Sequence, residues 1–199
     1  MEVKNLILYQ VATDRYYKVG DRFVFGKQLN YQGARVLDGD KLIKGRLYDS
    51  GYNYVNKKFK LASKNNLVLN LSEQLEEYDF IVRELAFEEV RKQSYSNCPS
   101  RLRCMFLTDS KEQCLKGIKT FYQKGHGTFF QAVAVKLTGT LFYAISECAI
   151  RAGLSYNDYV KMAHKYWSQS QEQTDTIKEI LFEGEAEIVE ILDEFEYKK

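Results

Sequence analysis

Apolar runs typical of β-strands lie at both ends of the 199-residue chain, and segments with a helical period lie between them. Residues 6 to 12 form a short apolar run that ends in polar Thr13, which indicates a buried first strand. Residues 178 to 192 have the pattern of two strands joined by a tight turn at Gly184. Because strands and helices occupy separate parts of the chain, the order predicts an α+β fold.

The helical period is clearest after Ser72, which we expect to cap a helix whose apolar stripe includes Leu75, Val82 and Val90. A row of charged residues falls on the other side of this helix. These residues form either a solvated surface or part of a site, and the alternation of charges favours a solvated surface. They are Arg83, Glu84, Glu88 and Arg91.

Two further helices have capping signals. Ser110 precedes Gln113 by three residues, and Ser155 precedes Asp158 in the same way, so we expect a helix to begin after each serine. The second helix has an aromatic face that includes Tyr166. Residues 140 to 153 are apolar and end in glycine, a pattern that favours a helix over a strand.

The composition predicts one folded domain spanning residues 1–199. Lys and Arg number 29 and Asp and Glu 27, a net charge of +2, and 45% of residues are apolar. Histone-like and polybasic-tail proteins are excluded by this balance. No apolar run approaches the roughly 20 residues of a membrane helix, and the start lacks the pattern of a secretion signal. We therefore expect a cytoplasmic protein without a membrane partner.

The cysteines and histidines give no sign of a metal site, so we expect none. The four cysteines include no C-x-x-C pair, and His126 and His164 lie far from them in sequence. Nucleotide-binding glycine loops, a serine-hydrolase elbow and a zinc-protease helix are also missing.

Two local features can carry chemistry. Ser100 and Arg101 follow the only proline, where a loop enters a predicted strand, and a guanidinium in that position can bind a phosphate with two hydrogen bonds. A surface-loop arginine is the simpler interpretation. Glu179 opens the strand-like segment near the C-terminus, so that a rigid element holds its carboxylate at a sheet edge.

Several short motifs follow one another in a particular order. They are Leu8-Tyr9-Gln10-Val11-Ala12-Thr13 with Val19-Gly20-Asp21, Leu85-Ala86-Phe87-Glu88-Glu89-Val90-Arg91, Pro99-Ser100-Arg101, Tyr166-Trp167, and Glu179-Ile180-Leu181-Phe182 with Gly184. This order resembles an uncharacterised bacterial branch of the ADP-ribosyltransferase-like superfamily, whose first strand is written Tyr-His-x-Thr. The resemblance implies a split β-sheet with an NAD cleft and flanking helices.

The resemblance also implies a role for each matching residue. Glu179 would be the catalytic carboxylate, hydrogen-bonded to the 2′-hydroxyl of the nicotinamide ribose while nicotinamide leaves. Ser100 would bind that ribose, Arg101 the pyrophosphate or the acceptor, and Tyr9 with Gln10 the ribose or the adenosine. NAD would thus be a co-substrate, and no metal would be needed.

Two departures leave alternatives open. Gln10 stands where histidine-bearing branches have His, and this favours a non-catalytic binding module on the same fold as one alternative. Ile177 stands where branches that modify arginine have Glu or Gln, so transfer to arginine side chains of proteins is disfavoured if Glu179 is the catalytic residue. A Glu-x-Glu pattern occurs further along the chain, at Glu185 and Glu187. These residues alternate with apolar ones, as residues on the solvent face of a strand do, so Glu179 is favoured over Glu185 as the catalytic carboxylate.

A lysine-rich segment is the candidate surface for binding the acceptor of ADP-ribose. Lys57, Lys58, Lys60 and Lys64 alternate with Tyr52, Tyr54 and Phe59, which suits either stacked bases and phosphates or a solvated loop. We expect an RNA or DNA acceptor somewhat before a protein, with NAD glycohydrolysis as a further alternative. Many members of the superfamily are toxins, so the resemblance suggests a bacterial toxin or phage-defence effector with a neutralising antitoxin.

Overall fold

The computed structural model describes residues 1–34, 36, 67–123, 129–150, 153–168 and 178–196. In this part of the chain the fold is mixed α+β, as expected, with an antiparallel sheet and helices around it. The strands are β1 (Glu2–Thr13), β2 (Arg22–Phe25), β3 (Met105–Leu107), β4 (Phe129–Ile145) and β5 (Lys178–Glu196). The helices are α1 (Leu67–Ser94), α2 (Lys111–Gln123), α3 (Glu147–Ile150) and α4 (Tyr156–Ser168).

The described strands form one sheet that curls round until its ends meet. Its order is β1-β4-β5-β2, and β3 pairs with β5 beside β2. After β3 the chain returns to β1, where the amide of Tyr9 donates to the carbonyl of Thr108 at 3.0 Å and the amide of Thr108 donates back at 2.9 Å. This single pair joins the edge of β1 to the β3 end of the sheet.

The inner side of the curled sheet holds the main apolar core. Because side chains alternate along a strand, every second residue of each strand faces inward. These residues include Leu8 and Ala12 of β1, Met105 and Leu107 of β3, and Ile180, Phe182 and Ile188 of β5. Two smaller clusters lie on the outer side, one under α1 and α4 and one under α2.

The long strands β4 and β5 pair along their whole length and meet closely at two glycines. Gly139 lies opposite Gly184, with φ of +154° and +138°. A Cβ atom on Gly139 would lie 2.3 Å from the carbonyl oxygen of Glu183, and one on Gly184 would lie 2.5 Å from that of Thr138. The glycines are therefore needed for a close approach of two backbones.

The courses of β4 and β5 correct two expectations from the sequence. The predicted turn at Gly184 is wrong, because β5 passes through that residue without reversing. The predicted helix over residues 140 to 153 is also wrong over its first part, since β4 continues to Ile145 and α3 begins at Glu147. Short apolar segments buried in a sheet have no period that separates them from buried helices.

The helix starts were predicted more accurately. The Ser110 hydroxyl accepts a hydrogen bond from the amide of Gln113 at 3.2 Å, and the Ser155 hydroxyl accepts one from the amide of Asp158 at the same distance. Both caps are confirmed. The cap at Ser72 is wrong, since α1 begins five residues earlier, at Leu67. A helix long and apolar enough to cross a bilayer is not found among the described residues.

Candidate functional site

Arg101 lies in the loop between α1 and β3 and is only 4% exposed. Its Nε donates to Oε2 of Glu84 at 2.9 Å, and its Nη2 donates to Oε1 of the same carboxylate at 3.1 Å. Its Nη1 donates to the hydroxyl of Tyr166 at 2.7 Å and also contacts Oε2 of Glu179. We call Glu84, Arg101, Tyr166 and Glu179 the buried charge cluster.

Aromatic rings surround the guanidinium of this cluster. Its central carbon lies 5.6 Å from the ring centre of Phe87, 5.3 Å from that of Phe106 and 5.1 Å from that of Tyr166. Rings at these distances attract a cation and exclude water. The ion pairs of Arg101 are therefore screened much less than pairs at the surface.

Burial and ion pairing shift the pKa values of three residues of the buried charge cluster. Burial raises the pKa of Glu84, but Arg101 and then Arg83 outweigh that effect and hold this pKa below its usual value. Burial lowers the pKa of Arg101, and the carboxylates of Glu179 and Glu84 more than reverse it, so that the pKa lies well above the usual value. Burial raises the pKa of Tyr166 well above its usual value, so its hydroxyl stays protonated.

Glu179 lies at the edge of the cluster, with 21% of its side chain exposed. Its Oε2 accepts the Tyr166 hydroxyl at 2.7 Å and contacts Arg101. Its Oε1 receives no hydrogen bond from any residue in the described ranges. One oxygen of the carboxylate is thus held, while the other has no hydrogen-bond partner within the described part of the chain.

A second ionic group surrounds Ser100. The Ser100 hydroxyl donates to Oε2 of Glu88 at 2.9 Å, and its amide donates to Oε1 of Glu183 at 2.8 Å. Arg91 binds both oxygens of Glu88, at 2.9 and 2.8 Å. Ser100 is 3% exposed, so the structure places it inside the protein beside Arg101.

These contacts correct the expectation for α1. Glu84 is 1% exposed and Glu88 is 7% exposed, so the predicted solvated surface is wrong for both. The pattern misled because the loop carrying Ser100 and Arg101 folds back over this side of α1 and pairs with its carboxylates. Neither partner lies within one helical turn, so no spacing rule along α1 could find it.

A cavity of about 650 Å³ lies between β1 and β3. The two strands pair at Tyr9 and Thr108, and no further ladder joins them within the described residues. Along one side lie Gln10, Val11, Ala12 and Thr13, and along the other Cys104, Met105 and Phe106. The rest of the lining comes from Asp14, Arg15, Tyr17, Phe25, Asn30, Tyr31, Gln32 and Phe80.

Two amides of this cavity have unused hydrogen-bonding capacity. The side-chain oxygens of Gln10 and Gln32 are buried, and neither accepts a hydrogen bond from the described part of the chain. The segment carrying Gln32 is held by Asn30, whose amide nitrogen donates to the carbonyls of Arg101 at 2.9 Å and Cys104 at 2.8 Å. Gln32 was missed by sequence reasoning, because it lies in a polar region with no motif.

The structure brings together three of the five predicted site residues. Ser100, Arg101 and Glu179 belong to adjoining networks behind β3. Gln10 lines the cavity, whereas Tyr9 packs on the other side of β1, against the cluster under α2. The expected lysine patch at residues 57 to 64 and His126 lie outside the described residues.

Phe106 connects the cavity with the buried charge cluster. It lines the cavity, and its ring packs on Arg101. It also pairs with Leu181 across the β3–β5 ladder, which makes Glu179 its diagonal neighbour. Diagonal neighbours on one face of a sheet lie about 7–8 Å apart. Glu179 is not among the residues that line the cavity, but it is a strand neighbour of Phe106, which forms part of the wall.

The described residues define an α+β protein with a curled antiparallel sheet, a cavity at its seam and a buried carboxylate–guanidinium cluster beside that cavity. A family model described as "Protein of unknown function (DUF2441)" matches residues 8–194. The chain therefore belongs to the DUF2441 family. No curated protein matches it. Among the described residues, no group of three or more His, Cys, Asp or Glu side chains is arranged to hold a metal ion.

Proposed function

We propose that this protein is an NAD-dependent ADP-ribosyltransferase that releases nicotinamide and modifies a macromolecule. The observation that carries the proposal is the carboxylate of Glu179, which is held through one oxygen, has the other free of described partners, and lies behind Phe106, a residue of the cavity wall. A fixed carboxylate with one available oxygen can accept a hydrogen bond from a ribose hydroxyl and stabilise positive charge that develops on the sugar.

The reaction needs this carboxylate more in the transition state than before it. The bond between the nicotinamide nitrogen and the ribose carbon breaks, and its electron pair leaves with nicotinamide. The acceptor atom then bonds to the same carbon and releases its proton to water. Positive charge on the sugar is largest between these events, so a carboxylate that is already oriented stabilises that state without reorganising.

The cavity suits the rest of the dinucleotide. It is lined by the rings of Tyr17, Phe25, Tyr31, Phe80 and Phe106, which offer flat apolar surfaces for a nicotinamide or adenine ring. Gln10 and Gln32 line the cavity, and after a change of side-chain rotamer their unpaired amide oxygens can accept a hydrogen bond from the carboxamide N–H of nicotinamide or from the amino group of adenine. Gln10 keeps its proposed role as an NAD contact, and Gln32 joins it.

The phosphates require a different cation from the one expected. Arg101 is buried and already bound by Glu84, Tyr166 and Glu179, so its donors are largely used inside the protein. Arg15 lines the cavity, lies exposed and forms no ion pair within the described ranges. We assign the pyrophosphate to Arg15 and leave Arg101 an internal role.

A nucleic acid remains the proposed acceptor, on the strength of the lysines and tyrosines at residues 52 to 64. The proposed setting is a bacterial toxin or phage-defence effector with a neutralising antitoxin in the cytoplasm. A second function, a binding module without catalysis, is favoured by the internal use of Arg101. Simple NAD hydrolysis differs from transfer only in that water is the acceptor.

The test compares the wild type with Glu179→Gln and with a matched control, Glu185→Gln, which changes an exposed carboxylate on the same strand. Each protein is incubated with adenine-labelled NAD in three separate reactions, to which RNA, DNA or cell protein is added as the acceptor. We expect labelled nucleic acid and free nicotinamide from the wild type and the control, and neither from Glu179→Gln.

The other outcomes separate the alternatives. Nicotinamide without labelled macromolecule indicates hydrolysis, and label on protein alone corrects the acceptor. Full activity in Glu179→Gln removes Glu179 from the site. Intact NAD with all acceptors, together with measurable NAD binding, establishes the binding module instead.

A further inference from the structure

The hydroxyl that holds Oε2 of the Glu179 carboxylate belongs to Tyr166 on α4, the helix that precedes β5 in the described part of the chain. Arg101 is fixed by a bidentate ion pair with Glu84. Its remaining nitrogen, Nη1, contacts both Tyr166 and Glu179. We infer that Tyr166 is a positioning residue for Glu179, an inference that rests on the proposed function.

The direction of the hydrogen bonds at Tyr166 is determined. A guanidinium only donates, so the Tyr166 oxygen must accept from Nη1 of Arg101 at 2.7 Å. Its own proton is then free for Oε2 of Glu179, also at 2.7 Å. This chain of donors has one arrangement, which fixes Oε2 and leaves Oε1 as the oxygen that meets a ligand.

The ring that carries this hydroxyl cannot move easily. Tyr166 is 1% exposed, and its ring meets Trp167 edge-on at 4.7 Å and Phe87 at 5.2 Å. Phe142 of β4 lies 6.2 Å away. Contacts from three elements thus hold the phenol in one position. The orientation of the carboxylate is set before a ligand arrives, which is what a positioning group contributes to catalysis.

The charged groups around Glu179 leave this task to Tyr166. Arg101 attracts Oε2 of Glu179 but is itself drawn towards Glu84 on α1. Cys104, the residue before β3, is a neutral thiol, because burial raises its pKa well above the usual value. Of the described groups that contact Glu179, the Tyr166 hydroxyl is the one that donates a single proton along a single direction.

The test uses Tyr166→Phe, which keeps the ring and removes the hydroxyl. Tyr159→Phe is the matched control, because Tyr159 is buried on the same helix and its hydroxyl bonds a carboxylate of α1, Asp79, away from Glu179. We expect kcat of Tyr166→Phe to fall about tenfold to hundredfold with KM for NAD unchanged, while Tyr159→Phe keeps its kcat.

A second readout does not require activity. The unfolding equilibrium constants of Tyr166→Phe, Glu179→Gln and the double variant are measured in urea. Each substitution multiplies the unfolding equilibrium constant by some factor. If the hydroxyl binds the carboxylate, the constant of the double variant should be at least about threefold smaller than the two single factors together would give. Multiplicative effects, or equal losses of kcat in Tyr166→Phe and Tyr159→Phe, overturn the inference. An inactive wild type with a clear coupling refutes only the proposed function.

Discussion

Glu84 and Glu179 bind two sides of the same guanidinium, so two carboxylates share one buried cation. Glu84 is the inner of the two, at 1% exposure, and it comes from the middle of α1. The pair joins α1 to the start of β5 through Arg101, a residue of the loop between α1 and β3. The consequences of this relationship for stability can be measured.

Acid should weaken the protein through Glu84. Its pKa in the folded protein lies below the ordinary value of 4.5, because Arg101 and Arg83 outweigh the cost of burial. A lowered folded-state pKa stabilises the protein above about pH 4.5, and that stability is lost as the pH falls through the folded-state pKa. Urea unfolding of wild type and Glu84→Gln across pH 3 to 7 should show a steeper acid loss in the wild type. Parallel curves would contradict this account.

Removing the cation should cost more than removing the whole pair. Arg101→Met leaves Glu84 buried without its main counter-charge, and we expect about 3–5 kcal/mol less stability at neutral pH. In Arg101→Met with Glu84→Leu, apolar groups replace both charges, and much of that loss should return. Denaturant midpoints measure both variants. If the two substitutions destabilise additively, the charges do not interact as described.

The cavity amides should matter only when the cavity is filled. Gln10→Leu and Gln32→Leu remove buried oxygens that have no described partner, so the free protein should keep its Tm or gain a little. The rise in Tm on adding NAD should shrink in both variants. Gln28→Leu, an exposed neighbour outside the cavity lining, is the control and should behave as wild type. A loss of Tm in the free variants would show that the oxygens are used.

Arg15 should distinguish ligands with phosphates from those without. Arg15→Gln should weaken the binding of ADP about tenfold and leave that of adenosine unchanged, because the variant loses only a charged contact to phosphate. Titration calorimetry at two salt concentrations gives both affinities. The control is Arg103→Gln, an exposed arginine that does not line the cavity. Equal ADP affinities in the two variants would remove Arg15 from the site.

Local signals predicted much of the fold, because they depend on neighbours in sequence. Caps at Ser110 and Ser155 and the strand at residues 6 to 12 needed only short-range chemistry. The continuous strand through Gly184 was missed, since a glycine that permits close backbone approach and a glycine in a turn look the same. What decides between them is the partner strand, whose Gly139 lies 45 residues before Gly184 in the chain.

Two members of the buried charge cluster were predictable from the sequence, but the other two and the arrangement of the cluster were not. Arg101 and Glu179 were singled out by position in a loop and at a strand start, and they do meet. Glu84 was placed on the wrong surface, and Tyr166 was given no chemical role beyond its aromatic face. Their contacts join α1, a loop, α4 and β5, and such contacts follow from tertiary packing, which no periodicity along one element contains.

The edge-on packing of Trp167 against Tyr166 also has a practical meaning. Trp167 is the only tryptophan in the chain, and its indole nitrogen donates to the carbonyl of Phe87 at 2.9 Å. Fluorescence excited selectively in tryptophan therefore comes from Trp167, whose ring contacts Tyr166, the residue that holds Glu179. The protein carries its own optical reporter, and events at the carboxylate can be followed by fluorescence without attaching a dye.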